Sequence, residues 1–555
     1  MKLRRLAQYL LAMLAAAFFI LFLLLPVGGV VVHGCDARLL AEVFCNPVYV
    51  NALIHSLAIA LTTTLLVAVI TLPLAFWYDR YRFPGRDAVN LAMFLPMILP
   101  PFVGAIGFQQ LLGYYGVVNS ILAKCGMARI DFLAGSGSFW SICVIEALHL
   151  YPIFYLNIVT SFGNIDPNLE DAAANLGISP CRRFFSITLP LLRPGILAGG
   201  ALVLIWSFTE LGTPLMFNYT AVTPVQIFNG LTELESNPVP FALVAVTLAV
   251  SLALYLISRR LLAGGGAVAG KGNSVRTLET LPGLRRYVPT VAFSLLTLLA
   301  ILPHLVLILI AFSRVYYRSV LPHGFTLAHF QEALSNALVL PSIGNSLRYS
   351  LIAMAIAMAI GVLTSLVSTR WRLKGGALTD FLAMTPLAVP GIVVAFGYLS
   401  MSVRFRWASA FNAVENPLIL LSIAYAVRRI PYVVRAVSSG LEQTPVELEE
   451  AARNFGASPW RAFSRITLPL IFANMLVGGL FAFSFSMLEV SDSLILAQKS
   501  EFFPITRALY ELSQILGSGN SIAAAFGVWT MLFLGATLGV ATTLLGRKIG
   551  AVFKL

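Results

Sequence analysis

Apolar residues run along this chain in stretches of about twenty, the length that crosses a bilayer core, rather than alternating with polar ones at the period of a half-buried helix or strand. These stretches fall near 8–32, 54–77, 88–113, 138–163, 191–214, 240–258, 288–312, 348–369, 378–402, 417–438, 470–496 and 522–545. In hydrocarbon every backbone N–H and C=O must be satisfied within the segment, so each stretch predicts a helix. The fold class read from the pattern is all-α, a polytopic membrane protein of about twelve transmembrane helices. The longest polar interval, 259–286, is a Gly/Lys/Arg-rich linker, and no stretch is long enough to build an attached soluble catalytic domain. Met1-Lys2-Leu3-Arg4-Arg5 precedes an apolar run to about Val32 that exceeds the roughly 7–15 residues of a signal peptide, which predicts a retained first span.

Composition agrees: 58% of the 555 residues are hydrophobic and only 11% are charged, where soluble domains carry about 25%. The net charge of +13 collects in alternate loops, around Arg80, Arg82 and Arg86, Arg182, Arg183 and Arg193, Arg259 to Arg286, Arg370 to Lys374, and Arg453 to Arg465. Basic loops stay cytoplasmic, so both termini are expected there. The charge is loop bias, and no nucleic-acid partner is expected; membrane lipid is. Arg314, Arg318, Arg404 and Arg406 break the bias by falling on the outer side.

The chain repeats itself. Asn51 and Ser56 align with Asn345 and Ser350, Pro96, Pro100 and Gly107 with Pro386, Pro390 and Gly397, and Pro152, Gly177 and Glu210 with Pro431, Gly456 and Glu489. Intramembrane prolines and carboxylates cost energy in lipid and do not recur as shared Leu or Ala would. The expected halves are 1–262, with helices 1–6 and a polar loop at 165–190, and 287–555, with helices 7–12 and a loop at 444–469, joined by the cytoplasmic linker 263–286. An even helix number per half gives parallel copies, typical of transporters, with a path between them.

The two loops have identical spacing: Asp171-Ala172-Ala173 to Gly177 and Ile187-Thr188-Leu189-Pro190, and Glu450-Ala451-Ala452 to Gly456 and Ile466-Thr467-Leu468-Pro469. An acidic, Ala-rich helix should end at Gly177 or Gly456 in the left-handed conformation. Ser179-Pro180 and Ser458-Pro459 supply an N-cap and an N1 proline for a second, amphipathic helix, and Pro190 and Pro469 should stop it at the membrane surface. Such a rigid knob suits docking into a soluble partner.

These residues resemble the EAA loop of permease subunits of binding-protein-dependent ABC importers: Glu-Ala-Ala, three residues, Gly, nine residues, Ile, one residue, Leu-Pro. The second copy fits throughout; the first departs only at Asp171. The resemblance implies the type I importer permease fold and two copies of an ABC ATPase. One copy would sit under each loop and contact Asp171, Ala172, Ala173, Gly177, Ser179, Pro180, Glu450, Ala451, Ala452, Gly456, Ser458 and Pro459. It also implies an extracytoplasmic solute-binding protein and a place in a bacterial or archaeal inner membrane. No GxxxxGK[ST] phosphate loop occurs, so the chain itself is expected to be a permease and no enzyme, with no cofactor of its own, ATP and Mg belonging to the partner. Fused permeases of this size look most like the ferric iron group, an impression strengthened by Trp206 to Phe217; thiamine and 2-aminoethylphosphonate permeases share the architecture. Asp79 to Arg86 is faintly similar to a loop of major-facilitator secondary transporters, but Trp371 to Gly376 lacks the pattern.

Ionisable groups within spans cost about 2.5–3.5 kcal/mol each and face protein or a wet cavity. Glu210, Glu489 and Asp492 either line the path, as hard oxygen donors for a cation, or hold helices together by hydrogen bonds and Arg pairing. Glu146 and His149 align with Tyr425 and Arg428, beside Arg429, which suggests acid–Arg pairing between the halves. Of five cysteines, only Cys35 and Cys45 could pair, and two free thiols are the alternative.

Overall fold

The computed structural model describes residues 2–233, 237–263, 277–404 and 412–545. Lys271 and Arg276 of the predicted linker and Arg406 of an outer loop lie outside the described residues. Among those described, nine helices are long and apolar enough to cross a membrane, and eleven if each of two bent pairs is one span. The tenth predicted span forms the helix Leu418–Gln443, whose Arg428, Arg429 and Arg435 lower its apolar character. Protein rather than lipid surrounds most of that helix, where arginines can find partners.

The bent pairs are the predicted third and ninth spans. Arg86–Met97 and Pro101–Lys124 meet at 93°, and Gly376–Leu387 and Gly391–Ser402 at 100°. The prolines break these spans. A proline pushes its predecessor out of the helical region and offers no N–H. Accordingly Leu99 and Pro100 are extended, with ψ 132° and 120°, just before Pro101.

The chain divides into two compact units, each drawing on both sequence repeats. One holds the described parts of Met1–Val50 and Leu327–Phe553 with Gln226–Ala249; the other holds Asn51–Val225 and Val250–Thr326. Within the second, Ser136–Phe162 packs on Leu189–Phe208 around Tyr151, Phe154, Tyr155 and Leu192. There too Val288–Phe312, the first span of the second repeat, lies on Pro101–Leu112 of the first repeat. Contact is so close at Gly107 that a Cβ would stand 1.8 Å from the Pro303 carbonyl oxygen. The other unit uses the same device, since a Cβ on Gly397 would stand 2.7 Å from the Pro26 carbonyl oxygen. Small residues let helix backbones touch where lipid gives no hydrophobic drive, which explains why this glycine recurs.

The structure also corrects the repeat register. Pro47–Arg80 and Val339–Arg370 run unbroken to equivalent arginines. Ser56 Oγ accepts the Thr223 N–H at 2.9 Å, and Ser346 Oγ accepts the Ile505 N–H at 2.7 Å. Ser56 and Ser346 stand equally far ahead of their arginines, so the partner of Ser56 is Ser346 and the Ser350 and Asn345 pairings slip by about one helical turn.

Candidate functional site

In each polar loop a short helix, Pro167–Asn175 or Glu447–Asn454, closes on a left-handed glycine, Gly177 at φ +75° and Gly456 at φ +86°. The paired closing bonds are present in both copies: Ile178 N–H to Ala173 C=O at 3.1 Å and Gly177 N–H to Ala174 C=O at 2.9 Å, and Ala457 to Ala452 at 3.0 Å and Gly456 to Arg453 at 2.9 Å. Pro180 and Pro459 then open the next helix. Ser458 Oγ accepts the Arg461 N–H at 3.3 Å, whereas Ser179 takes the cap conformation without a side-chain bond.

That second helix does not stop at Pro190 or Pro469. It continues into the fifth span of its repeat, giving the helical runs Pro180–Met216 and Pro459–Met487. In both copies the junction is a single π-helical turn, Phe184–Thr188 and Phe463–Thr467. The wider turn immediately before each proline accommodates a residue that a straight α-helix tolerates poorly. A knob and a transmembrane helix are thus one rod.

The side chains that tie this rod to the rest of its unit were not among the predicted site residues. Glu170, beside Asp171, is buried, and its carboxylate accepts hydrogen bonds from the Arg80 guanidinium and the Thr188 hydroxyl. The second copy repeats the arrangement: Glu449 Oε1 accepts from Arg370 Nε at 2.7 Å and from Thr467 Oγ1 at 2.5 Å, and Oε2 accepts from Arg453 Nη2 at 3.1 Å. Arg370 also donates to the Thr444 carbonyl at 2.9 Å. Each arginine ends the second span of its repeat, each threonine ends the π turn, and each glutamate lies in the loop's first helix, so three elements meet at one carboxylate. Such charge-assisted bonds are short and strong, and a buried carboxylate needs them. A sequence signal was available: both copies place Glu before the expected acid and Thr at the one open position of Ile-x-Leu-Pro.

The predicted residues face the other way. Asp171, Ala172, Gly177, Ser179, Pro180, Glu450, Ala451, Gly456, Ser458 and Pro459 are exposed, while Ala173 is buried and Ala452 half-buried. Around them stand apolar side chains with little cover: Leu176 is 81% exposed, Phe455 92% and Trp460 73%. In each copy an exposed acidic and apolar tip thus stands over a buried ionic joint.

The intramembrane carboxylates do two different things. Glu210 Oε1 accepts the Gly212 and Thr213 N–H groups at 3.0 and 3.3 Å, capping the helix Gly212–Met216. Its repeat mate Glu489 has each oxygen taken by an arginine, Arg428 on one and Arg429 on the other. Asp492, fully buried, lies 3.6 Å from Arg428. Two arginines and two carboxylates of one repeat thereby balance. This corrects the pairing expected between halves: Arg428 and Arg429 are paired with Glu489 of their own repeat, and Glu146 accepts from Ser207 in its own. Glu210 and Glu489 are thus held by hydrogen bonds, whereas both buried Asp492 carboxylate oxygens lack a hydrogen-bond partner among the described residues and face Arg428 only as a charge. Among the described residues no three His, Cys, Asp or Glu side chains converge as metal ligands. All five cysteines are free, Cys35 and Cys45 both exposed, so that pair forms no disulfide.

Residues 69–264 and 357–550 each match the family described as "Binding-protein-dependent transport system inner membrane component". A Haemophilus influenzae protein assigned as ferric transport system permease FbpB 1 is 26% identical over 479 residues, 83% of this chain and 71% of that protein. The ferric transport system permease protein FbpB of Actinobacillus pleuropneumoniae is 25% identical over 82% of this chain and 65% of its own length. The sulfate transport system permease protein CysT of Escherichia coli K12 is 30% identical over 244 residues, 43% of this chain and 86% of CysT.

Proposed function

The chain belongs to the family of binding-protein-dependent transport system inner membrane components, in two fused copies, and from that premise we propose that it is the transmembrane permease of an ATP-driven importer of ferric iron. It is a multi-pass membrane permease. Its two loops would each dock one copy of an ABC ATPase at the cytoplasmic face, and a solute-binding protein would deliver cargo at the other. ATP and Mg belong to the ATPase; this chain's part is mechanical.

The coupling follows from the loop geometry. The exposed tips around Leu176, Phe455 and Trp460, with Asp171 and Glu450 beside them, supply apolar anchors rimmed by charge, the composition of a tight docking surface. Movement of a tip is carried along the continuous rod into the fifth span. It also reaches the second span through the carboxylate shared by Arg80, Glu170 and Thr188, or by Arg370, Glu449 and Thr467. A loop held only by backbone would bend; one bolted to two spans moves them together. The termini, linker and basic loops fit the cytoplasmic side by their charge.

Ferric iron is carried by one observation. The ferric permeases align with both halves of this chain, 476–479 residues, whereas the sulfate permease aligns with one. The test is uptake of radiolabelled ferric iron by iron-starved cells with and without this chain, its partners being present. Energy-dependent uptake should disappear on deletion. Unchanged uptake, with no redundant importer, would move the cargo to an organic solute such as thiamine or 2-aminoethylphosphonate and leave the importer architecture in place.

A further inference from the structure

Among the outer-side arginines that break the loop bias, Arg318 does not stand alone. It follows Val288–Phe312 and precedes the short strand His323–Phe325, which pairs with Ser313–Val315. Its backbone takes φ +51°, a left-handed conformation that non-glycine residues seldom adopt, with its N–H bonded to the Tyr115 carbonyl at 3.2 Å. That conformation sets the guanidinium 4.3 Å from the centre of the Tyr115 ring and 5.1 Å from that of Tyr317. Arg129 covers the same cluster, 5.1 Å from Tyr115 and 5.8 Å from Tyr114. The rings pack on one another, Tyr114 to Tyr115 at 5.1 Å and Tyr115 to Tyr317 at 5.2 Å. Gln110 ties the cluster down by donating to the Tyr316 carbonyl at 2.9 Å.

This cluster lies at the opposite end of its helices from the docking loop of the same unit. Residues 113–135 lead into Ser136–Phe162, whose far end enters that loop. Residues 313–325 follow a helix whose start comes just after Glu279–Thr280, the strand paired with Tyr81–Arg82 next to Arg80. All three tyrosines are exposed, Tyr317 at 52%. Among the described residues neither Arg129 nor Arg318 forms an ion pair. Two arginines left without a counter-charge on the side that loop bias keeps poor in them, pre-stacked on rigid rings, form a positively charged aromatic face. Tyr and Arg are the side chains that dominate binding energy at protein interfaces, because they bring large contact area at low entropy cost.

We propose that Tyr114, Tyr115, Tyr317, Arg129 and Arg318 form the surface on which an acidic face of the solute-binding protein docks. The proposal rests on the importer reading, and it names the contact that reading leaves unassigned. Charge complementarity argues for the occupant: members of the family depend on a binding protein, and a face that carries two arginines without an ion pair suits a partner that presents carboxylates.

The test places the photo-crosslinker p-benzoylphenylalanine at Tyr317, and separately at Trp460, in the full chain in intact cells, with adducts identified by mass spectrometry. The Tyr317 adduct is expected to be the solute-binding protein and the Trp460 adduct the ATPase. Arg129→Glu with Arg318→Glu should lower the Tyr317 adduct at least tenfold and leave the Trp460 adduct unchanged, which shows that the variant folds. Should the double reversal lose both adducts, Arg129→Gln with Arg318→Gln is the milder pair held to the same criterion. An adduct at Tyr317 with lipid or with any other protein overturns the proposal, as does no adduct or one indifferent to charge. If Trp460 captures no ATPase, the importer reading fails, whatever Tyr317 captures.

Discussion

Glu449→Gln removes one charge from the joint that bolts the second loop to its spans while keeping size and an acceptor for Thr467. The consequence follows from what remains around Arg370. Its side chain is only 6% exposed, and it keeps the Thr444 carbonyl at 2.9 Å and the Pro445 carbonyl at 3.4 Å but loses its counter-charge. Arg453 loses its partner too, though that side chain is more exposed and the loss there is small. Breaking a buried ion pair costs about 3–5 kcal/mol, and the two surviving carbonyls argue for the lower end, about 3 kcal/mol. At about 1.4 kcal/mol per factor of ten, the detached form of the loop rises roughly 100-fold. Amide hydrogen exchange reads this directly in the purified chain. The loop helix amides, such as Phe455 bonded to Ala451 at 3.1 Å and Ala457 bonded to Ala452 at 3.0 Å, should exchange roughly 100-fold faster. Amides of the buried helix Leu418–Gln443 should not change. The adjacent Glu450→Gln is the control, because Glu450 is exposed and its neutralisation should leave loop exchange within about twofold. Equal exchange in Glu449→Gln and the parent, or an equal effect from Glu450→Gln, would refute the joint as a mechanical element.

Two further outcomes follow from packing and exposure. Gly107→Ala forces a Cβ to 1.8 Å from a backbone oxygen, an overpacking that costs about 1–3 kcal/mol, so its thermal unfolding midpoint in detergent should fall, while Gly28→Ala, with nothing within 4 Å, should not lower it; equal midpoints for Gly107→Ala and the parent would refute the close approach. Without reductant, maleimide should label four thiols, Cys35, Cys45, Cys125 and Cys181, and reach the buried Cys143 only on unfolding; an intact mass showing two labels would mean that Cys35 and Cys45 are joined.

Much of the architecture was legible because it rests on short-range constraints. A twenty-residue apolar run has to be helical in lipid wherever it lies. Gly177 and Gly456 close their helices, and Pro180 and Pro459 open the next ones, because backbone torsions at a single residue decide those turns. The double occurrence of one loop spacing then pointed to the family without reference to packing. The prolines at Pro100, Pro101 and Pro390 announced a disturbance, but whether a span kinks or turns through 93–100° depends on what receives the second segment, and that is tertiary.

What only the tertiary structure decided concerns partners far apart in sequence. Glu170 and Asp171, or Glu449 and Glu450, are neighbouring carboxylates on one short helix, equivalent to any local criterion; the arrival of Arg80 or Arg370 at the end of another helix makes the first of each pair a buried joint and leaves the second for solvent. The slip between Ser350 and Ser346 has a similar origin, since a shift of four residues keeps every side chain on nearly the same helix face and is almost silent in an apolar sequence. Likewise Arg428 and Arg429 could have paired with an acid in either half, and proximity to Glu489 and Asp492 chose between them. Hydropathy, backbone chirality and loop charge act over a turn or two and are written in the sequence; the choice among chemically equivalent partners is made by which helix ends meet, and that is settled only when the chain has folded.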